Sequence, residues 1–385
     1  MNKYFSALLL SFISVLFFVA CQEKSTESVI ILWQQNENGY NNYRIPSLIV
    51  TQKNTLLAFC EAREAGDTGE IHTIVKRSVD NGKTWSEQAV VWGDVGNTYG
   101  NPCPVIDQTT GRIVLLSTWN LGTDRESDII EKRSKNTRIP YVCYSDDDGI
   151  TWSEPQSIIL SAKDPDWGWY ATGPGIGIQL KNTKYKNRLV IPCNNSYSLA
   201  GEDKKWDYGS HVIYSDDGGL TWEKSQIIMP KVNESQVVEL HNGDLMINMR
   251  SYHGKASRAV AYSYDGGQSW TEVSHNAQLQ EPVCQAGFID FGNYKGKSLY
   301  LFSNPATTHG RTHMTVKASF DNAENWTNSK LIFAGASAYS SMAKLPNGTI
   351  GLLFEAGNEH AYESIVFVSF PPEALFSPDV LLPKL

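Results

Sequence analysis

The sequence predicts an all-β protein, a six-bladed β-propeller that forms a single domain over residues 28–385 after an N-terminal signal peptide. Two observations predict it. One short turn motif occurs five times between strand-like apolar segments, and the 11 Trp and 30 Gly of the 385-residue chain suit short strands joined by tight turns. The net charge of −8 argues against binding to nucleic-acid phosphates, because such binding depends on clustered Lys and Arg.

The first twenty residues are typical of an export signal. The apolar run at residues 5–20 is short for a membrane-spanning helix and has the length of a signal-peptide core. A small residue precedes Cys21, as at the junction of bacterial lipoproteins, so we expect removal of residues 1–20, lipid attachment at Cys21 and a tether at residues 21–27. The protein would leave the bacterial cytoplasm and be anchored to a membrane, in the periplasm or at the cell surface. Phe18 departs from the usual leucine, so secretion without a lipid is the alternative.

The other five cysteines stand singly within apolar stretches, and we interpret them as buried small hydrophobic residues: Cys60, Cys103, Cys143, Cys193 and Cys284. An odd number fits a disulfide framework badly, and there is no CxxC pair. The eight histidines are scattered, and no HExxH motif is present. We therefore expect neither a metal site nor a cofactor.

The repeated motif has the pattern Ser-x-Asp-x-Gly-x-Thr/Ser-Trp, and its copies begin at Ser78, Ser145, Ser215, Ser263 and, without the Gly and Thr, Ser319. This is the chemistry of a hairpin turn, because Asp can accept hydrogen bonds from the amides that follow it and Gly supplies a positive φ. Each repeat predicts one antiparallel sheet of four strands, and five copies indicate six blades of which one lacks the motif. We expect these aspartates to be structural; a calcium or carbohydrate site is the weaker alternative.

Three arginines lie at strand edges in different repeats: Arg44, Arg250 and Arg311. In a propeller every innermost strand lines the same central axis, so residues this far apart in sequence can converge. Guanidinium groups offer forked donors that match a carboxylate. One such arginine alone is more often a surface or salt-bridge residue, so the three are judged together, and together they predict a site for a planar anion.

The motif repeats and the segment Tyr43-Arg44-Ile45-Pro46 resemble exo-α-sialidases (neuraminidases), a glycoside hydrolase family with bacterial and animal members. Further matching stretches run along nearly the whole mature chain: EAREAGDTG at residues 61–69, NESQVVEL at 233–240, SNPA at 303–306 and SAYSSM at 337–342. The resemblance implies hydrolysis of terminal α-linked sialic acid from glycoproteins, glycolipids and oligosaccharides. It also implies net retention through a tyrosine-linked intermediate.

By this resemblance, Tyr339 corresponds to the nucleophile, Glu234 to its activating base and Asp67 to the acid/base. A phenol avoids the like charge that a carboxylate nucleophile would bring to the sialic acid carboxylate. Since the pKa of tyrosine is about 10, it needs a partner base at pH 7. We expect burial and the substrate anion to raise the pKa of Asp67. Glu239 is the weaker alternative to Glu234, and Glu70 is the alternative to Asp67.

The same resemblance assigns Arg44, Arg250 and Arg311 to the substrate carboxylate and Arg63 to the neighbourhood of the sugar's 4-hydroxyl. Glu355 would brace an arginine of the triad. The expected partner is a sialylated glycoconjugate, with no nucleic acid and no membrane contact beyond the lipid anchor, and the protein is expected to be a monomer.

Some alternatives stay open at the level of sequence. Trp119, Trp167, Trp169 and Tyr170 would either line the pocket for the glycerol or N-acetyl group or pack inside a blade. An intramolecular or trans-sialidase would use the same catalytic residues. A propeller that binds glycans or proteins without catalysis would have no reason to retain them together.

Overall fold

The computed structural model describes residues 28–181, 184–199, 205–382 and 384–385. The predicted signal peptide, Cys21 and most of the predicted tether lie outside these ranges. The described residues form an all-β fold that is consistent with a β-propeller. Among them, no helix combines the length and apolar character that crossing a membrane would require.

The strands of the described ranges are numbered here in chain order. The first twelve are β1 (Ser28–Gln34), β2 (Asn42–Val50), β3 (Leu56–Arg63), β4 (Ile71–Ser78), β5 (Ala89–Trp92), β6 (Asn97–Ile106), β7 (Ile113–Leu121), β8 (Ile139–Ser145), β9 (Gln156–Ser157), β10 (Tyr170–Thr172), β11 (Ile178–Gln179) and β12 (Leu189–Ser198). The next twelve are β13 (Trp206–Ser215), β14 (Glu223–Lys224), β15 (Val232–Glu239), β16 (Leu245–Ser251), β17 (Ser257–Ser263), β18 (Ser274–Gln280), β19 (Gly287–Tyr294), β20 (Lys297–Pro305), β21 (Thr312–Ser319), β22 (Asn328–Lys344), β23 (Ile350–Gly357) and β24 (Ser364–Phe370). The short helical segments are α1 (Glu126–Ile130), α2 (Ile159–Ala162) and a 3₁₀ turn (Pro372–Phe376).

The strands form successive groups, and the strands within each group pair antiparallel. The first groups are β2 to β5 and β6 to β9. In the next, β10 and β11 both pair with β12, which continues to β13 and β14, and β15 to β18 follow. The 17-residue strand β22 pairs with β21 through its first half and with β23 through its second half, so it belongs to two groups. The N-terminal strand β1 completes the last group by pairing with β24.

The register of the first group separates two ends of the sheet. Arg63 pairs with Asn42 at one end of β3, and Leu56 pairs with Ser78 at the other. Ser78 opens the first turn motif, so this turn lies at the end away from Arg63. A bulge interrupts the pairing of β2 directly after Arg44, where Ile45 adopts a φ of 62°. The bulge turns the backbone at the residue that the sequence marks for anion binding.

The turn motifs form the predicted hydrogen bonds. In the first copy, the two oxygens of Asp80 accept bonds from the Thr84 amide (2.9 Å) and hydroxyl (2.6 Å), and the Gly82 amide donates to Ser78 Oγ (2.9 Å). The other copies repeat the bonds between Asp and the residue four positions later. Hydrogen bonds from Thr151 lower the pKa of Asp147 to about 2. The aspartates are therefore engaged within their own turns, and their predicted structural role is confirmed.

Apolar side chains fill the space between neighbouring groups of strands, as in the cluster that contains Phe288, Phe302 and Trp326. The five cysteines of the described residues are buried and form no disulfide, which confirms their interpretation as small core residues. Within the described ranges, no group of three or more His, Cys, Asp or Glu side chains is arranged to hold a metal ion.

Candidate active site

A cavity of about 390 Å³ opens at the end of the sheets away from the turn motifs. Seven of the residues that the sequence singles out line it together: Arg44, Arg63, Asp67, Glu234, Arg250, Arg311 and Tyr339. They come from different groups of strands, and the arginines of the predicted triad lie up to 267 positions apart. The predicted convergence of the three arginines on one cavity with Tyr339 is therefore observed.

Glu355 lies fully buried next to this cavity and joins two of its walls. One carboxylate oxygen accepts hydrogen bonds from Arg44 Nε (2.7 Å) and the Ile45 amide (2.9 Å), and the other accepts one from the Tyr339 amide (3.0 Å). Burial would lower the pKa of the Arg44 guanidinium, but the charge and hydrogen bond of Glu355, together with Tyr339 and Tyr362, outweigh burial and raise that pKa. The sequence predicts that Glu355 braces an arginine; it does not indicate that the same carboxylate also holds the backbone of Tyr339.

Tyr339, Glu234 and Arg250 form a closed hydrogen-bonded triangle. The Tyr339 hydroxyl donates to Glu234 Oε1 (2.5 Å), and Arg250 Nη1 donates to Glu234 Oε2 (2.8 Å) and to the Tyr339 hydroxyl oxygen (3.2 Å). Burial, followed by the charge of Glu234, raises the pKa of Tyr339 well above its usual value. The phenol is therefore neutral in the free protein, and its proton already points at the carboxylate that would remove it.

Arg311 approaches Tyr339 from another side. It donates from Nη1 to the Tyr362 hydroxyl (3.0 Å) and from Nη2 to the Val283 carbonyl (3.1 Å). The guanidinium carbons of Arg44 and Arg311 lie 5.2 Å and 5.6 Å from the centre of the Tyr339 ring. Positive charge thus surrounds the phenol. In addition, the Nε atom of Arg250 is buried and has no hydrogen-bond partner among the described residues.

Asp67 lies on the loop between β3 and β4, and its side chain is 74% exposed. It accepts a hydrogen bond from Arg63 Nη1 and lies 3.9 Å from Arg44 Nη1, while Arg63 Nε donates to Glu61 (2.8 Å). Partial burial raises the pKa of Asp67, but the charges of Arg63 and Arg44 outweigh it and lower that pKa. In the ligand-free protein two guanidinium groups therefore stabilise the ionised carboxylate, whereas the predicted rise in the pKa of Asp67 concerns the substrate-bound state and stays a prediction.

The two alternative acids do not line the cavity. Glu239 lies at the opposite end of β15 from Glu234, borders a separate cavity and accepts a hydrogen bond from the Lys181 amide (2.7 Å). Glu70 accepts one from the Gly96 amide (2.8 Å) and lies 3.3 Å from the His72 ring. The geometry therefore favours Glu234 and Asp67.

Several lining residues have no role in the sequence-based prediction: Glu61, Asn101, Glu126, Arg138, Asn194, Asn233, Tyr252 and Tyr362. Trp169 also lines the cavity, with the Arg138 guanidinium 4.3 Å from its ring centre, whereas Trp167 and Tyr170 belong to a buried core cluster. Burial lowers the pKa of Arg138 to about 10. Arg138 directly precedes strand β8, as Arg311 directly precedes β21, so the position of an arginine at a strand edge would also have found it. Asn194, fully buried with no hydrogen-bond partner for either amide atom among the residues that the structure describes, stands out in the sequence only as a polar residue that follows the apolar first half of β12.

Comparison with known proteins finds one family model and several relatives that are named sialidases. Residues 54–352 match the family described as BNR repeat-like domain. A sialidase from Paraclostridium sordellii is 32% identical over 310 residues, which cover 74% of this chain and 73% of that protein. A sialidase from Bacteroides fragilis is 33% identical over 340 residues, and the match spans 83% of this chain but 60% of the relative's length. A solved structure, the Hadza microbial sialidase Hz136, superposes with a TM-score of 0.77 at 32% identity and covers 87% of this chain and 67% of its own.

Proposed function

Because the chain belongs to the sialidase family with BNR repeats, we propose that it is an exo-α-sialidase that hydrolyses terminal α-linked sialic acid from glycoproteins, glycolipids and oligosaccharides. One observation carries the proposal: three arginines from different groups of strands surround a tyrosine that is hydrogen-bonded to a glutamate, within one cavity. A carboxylate-bearing sugar matches this charge, and a glycan-binding module without catalysis would need no buried Tyr339–Glu234 pair.

The arginines Arg44, Arg250 and Arg311 would bind the substrate carboxylate. Arg44 and Arg250 each use a donor on a protein carboxylate, which holds the guanidinium plane and leaves other donors for the ligand. The buried Nε of Arg250 has no acceptor within the described part of the chain, which supports this assignment, since a buried donor without an acceptor is destabilising. Each charge-assisted hydrogen bond to the anion would contribute about 1.5–3 kcal/mol.

Tyr339 would attack the anomeric carbon while Glu234 takes its proton across the 2.5 Å hydrogen bond. The new bond joins the phenol oxygen to carbon as the bond to the leaving oxygen breaks, and Asp67 gives that oxygen a proton. Water then attacks the anomeric carbon of the sialyl–tyrosine intermediate as its bond to the phenol oxygen breaks. Asp67 takes a proton from the water, Glu234 returns its proton to Tyr339, and the product retains its anomeric configuration. Arg250 would stabilise negative charge on both Glu234 and the phenol oxygen.

Asp67 must be protonated for the first step, although the arginines lower its pKa in the free protein. Binding of the substrate carboxylate would place a negative charge beside Arg44 and offset part of the positive field at Asp67. The pKa of Asp67 would therefore rise upon binding.

Two further residues would support the site. Arg63, held between Glu61 and Asp67, would face the 4-hydroxyl of the sugar. Glu355 would hold Arg44 and Tyr339 in fixed positions relative to each other.

The architecture that supports this site is proposed to be six blades in one domain from residue 28 onward. The pairing supports this count, because the groups of strands number six over the described ranges when β22 serves two of them and β1 completes the last. Such closure places the inner strands around one axis, where distant residues meet.

Export and lipid attachment at Cys21 are likewise proposed from the sequence alone. In a bacterial host, the wild-type protein should partition with membranes, and Cys21→Ser should appear in the soluble exported fraction. Wild-type protein found entirely in the cytosol would contradict export, and a soluble exported wild type would favour plain secretion.

The function is tested by incubating the purified protein with 4-methylumbelliferyl sialic acid and with sialylated oligosaccharides. We expect release of the fluorophore, and NMR should show free sialic acid whose first-formed anomer has the substrate's configuration. A 2,7-anhydro product or transfer to an added acceptor glycan would instead indicate an intramolecular or trans-sialidase. Inactivity across a range of pH would favour a binding module.

A further inference from the structure

Arg311 differs from the other two arginines of the triad in what holds it. Arg44 and Arg250 are paired with Glu355 and Glu234, whereas Arg311 forms no salt bridge with any described residue. Its guanidinium donates instead to the Val283 carbonyl (3.1 Å) and to the Tyr362 hydroxyl. The direction of Arg311 therefore depends on where the backbone presents the carbonyl of residue 283.

That carbonyl lies in a strained part of the chain. Val283 has a φ of 57°, a left-handed conformation that β-branched residues rarely adopt. It belongs to residues 281–285, which lie in the connection between β18 and β19 and which we call the positioning segment. Since nothing in the Val283 side chain favours this backbone, the conformation must be imposed by contacts on either side of it.

A buried ion pair supplies those contacts. Arg258 Nη1 donates to Glu281 Oε2 (2.6 Å) and to the Cys284 carbonyl (2.6 Å), so one guanidinium holds the positioning segment on both sides of Val283. Both charged side chains are only 1% exposed. Arg258 Nε also donates to Asn248 Oδ1 (2.6 Å), which fixes the pair to strand β16.

The other oxygen of Glu281 reaches the second arginine of the triad through the backbone. Glu281 Oε1 accepts a hydrogen bond from the Ser251 amide (2.7 Å), and Ser251 directly follows Arg250 on β16. The same ion pair therefore contacts the chain beside Arg250 and the chain that holds Arg311.

A neighbouring residue of the segment serves Tyr339 independently. Gln285 accepts a hydrogen bond from the Ser340 amide (2.9 Å) and donates to the Ser340 carbonyl (3.0 Å), next to Tyr339. A change in the Arg258–Glu281 pair would leave these two bonds in place, so it should affect the arginines more than the nucleophile.

We propose that Arg258 and Glu281 are positioning residues that set the separation of Arg250 and Arg311, so that both guanidinium groups reach one carboxylate; this rests on the proposed sialidase function. Stability alone would not call for such a pair, because apolar side chains of similar volume often replace a buried ion pair without loss. The pair instead couples two binding residues to one rigid element.

The test is Glu281→Gln, compared with wild type in hydrolysis of 4-methylumbelliferyl sialic acid and in inhibition by free N-acetylneuraminate. We expect KM and the inhibition constant both to rise at least ~10-fold, the factor for one lost hydrogen bond to a charged group. We expect kcat to change less than about threefold, because Tyr339 keeps its own supports. Folded Glu281→Gln protein with wild-type KM and inhibition constant would overturn the proposal.

Two further variants keep the test decisive. If Glu281→Gln does not fold, Arg258→Lys is the alternative variant. It retains both charges but replaces the guanidinium, which donates from Nη1 to Glu281 and Cys284 and from Nε to Asn248, with one ammonium group that cannot span these acceptors, so KM should rise. Unchanged KM in this variant would overturn the proposal. The control is Asp216→Asn, which removes the carboxylate from the Arg188–Asp216 pair at the turn-motif end (2.6 and 2.8 Å) and should leave KM unchanged.

A crystal structure of Arg258→Lys or Glu281→Gln supplies a readout that does not depend on activity. The separation of the Arg250 and Arg311 guanidinium groups should change, and the Val283 carbonyl should turn away from Arg311. An unchanged separation would refute positioning. Wild-type protein without activity on any sialoside would refute the proposed function. The crystal structures of the variants would still decide whether the Arg258–Glu281 pair sets the separation of Arg250 and Arg311.

Discussion

Replacing Glu355 with Gln tests the arrangement of the site most directly, because this carboxylate holds two elements of the proposed machinery at once. It accepts three hydrogen bonds of 3.0 Å or less, from Arg44 Nε and from the amides of Ile45 and Tyr339. Glutamine keeps one acceptor oxygen and turns the other into a donor. Whichever way the new amide faces, its NH₂ group meets a donor, and the buried Arg44 charge loses its counter-charge.

The magnitude follows from these contacts. A hydrogen bond to a charged group contributes about 1.5–3 kcal/mol, and removal of one partner from a buried ion pair costs about 3–5 kcal/mol. Part of this loss falls on folding and part on transition-state binding. We expect kcat/KM of Glu355→Gln to fall by about 100- to 1000-fold, which corresponds to about 3–4 kcal/mol.

The assay is steady-state hydrolysis of 4-methylumbelliferyl sialic acid, with circular dichroism to verify that the variant is folded. Glu239→Gln is the matched control, since it makes the same chemical change on β15 at the end away from Glu234, and it should retain kcat/KM. If folded Glu355→Gln keeps kcat/KM within about threefold of wild type, then the carboxylate does not hold Arg44 and Tyr339 for catalysis.

The remaining predictions concern the nucleophile, the acid and a core histidine. Tyr339→Phe should lower kcat at least ~1000-fold while calorimetric binding of free sialic acid persists; more than about 1% residual kcat would contradict a nucleophilic role. Arg63→Met removes the leading positive charge that lowers the pKa of Asp67, so the alkaline limb of kcat/KM should move to higher pH, and an unmoved limb would contradict Asp67 as the acid. Burial lowers the pKa of His211 to about 3, and its Nε2 has no partner among the described residues. Since the unfolded chain binds that proton near pH 6.5, stability should fall as pH decreases from about 6.5 towards 3, by about 1.4 kcal/mol per unit, and thermal unfolding of His211→Gln should show a weaker dependence.

The features of the site that could be predicted are those that a repeated architecture imposes. The turn motifs identify sheets arranged about an axis, and arginines at strand edges in separate repeats then have one place to meet. Arg44, Arg250 and Arg311 do meet around Tyr339, and the distances of 5.2 and 5.6 Å from its ring could follow from no local pattern. The role of Tyr339 came from resemblance to a family, because a tyrosine among small residues has no signature of its own.

The features that could not be predicted depend on the balance of neighbouring charges or on contacts between remote segments. The pKa of Asp67 is lowered because Arg63 and Arg44 outweigh burial, a comparison of magnitudes that requires coordinates. Glu281 and Arg258 appear in sequence as an ordinary acid after a strand and an ordinary base within one. Only the fold shows that they meet inside the protein, where an unpaired charge would destabilise the folded state.

The protonation state of Tyr339 follows from the competition between burial and charge. Three arginines around a phenol should favour the phenolate, yet burial and Glu234 together raise its pKa. The reason is that burial, the largest effect, and the charge of Glu234 together outweigh the lowering of this pKa by Arg250 and Arg311. In the proposed mechanism the arginine charges then attract an incoming carboxylate, and Tyr339 is activated only when Glu234 accepts its proton during attack. A site that held Tyr339 as a phenolate at rest would repel the same carboxylate that its arginines attract.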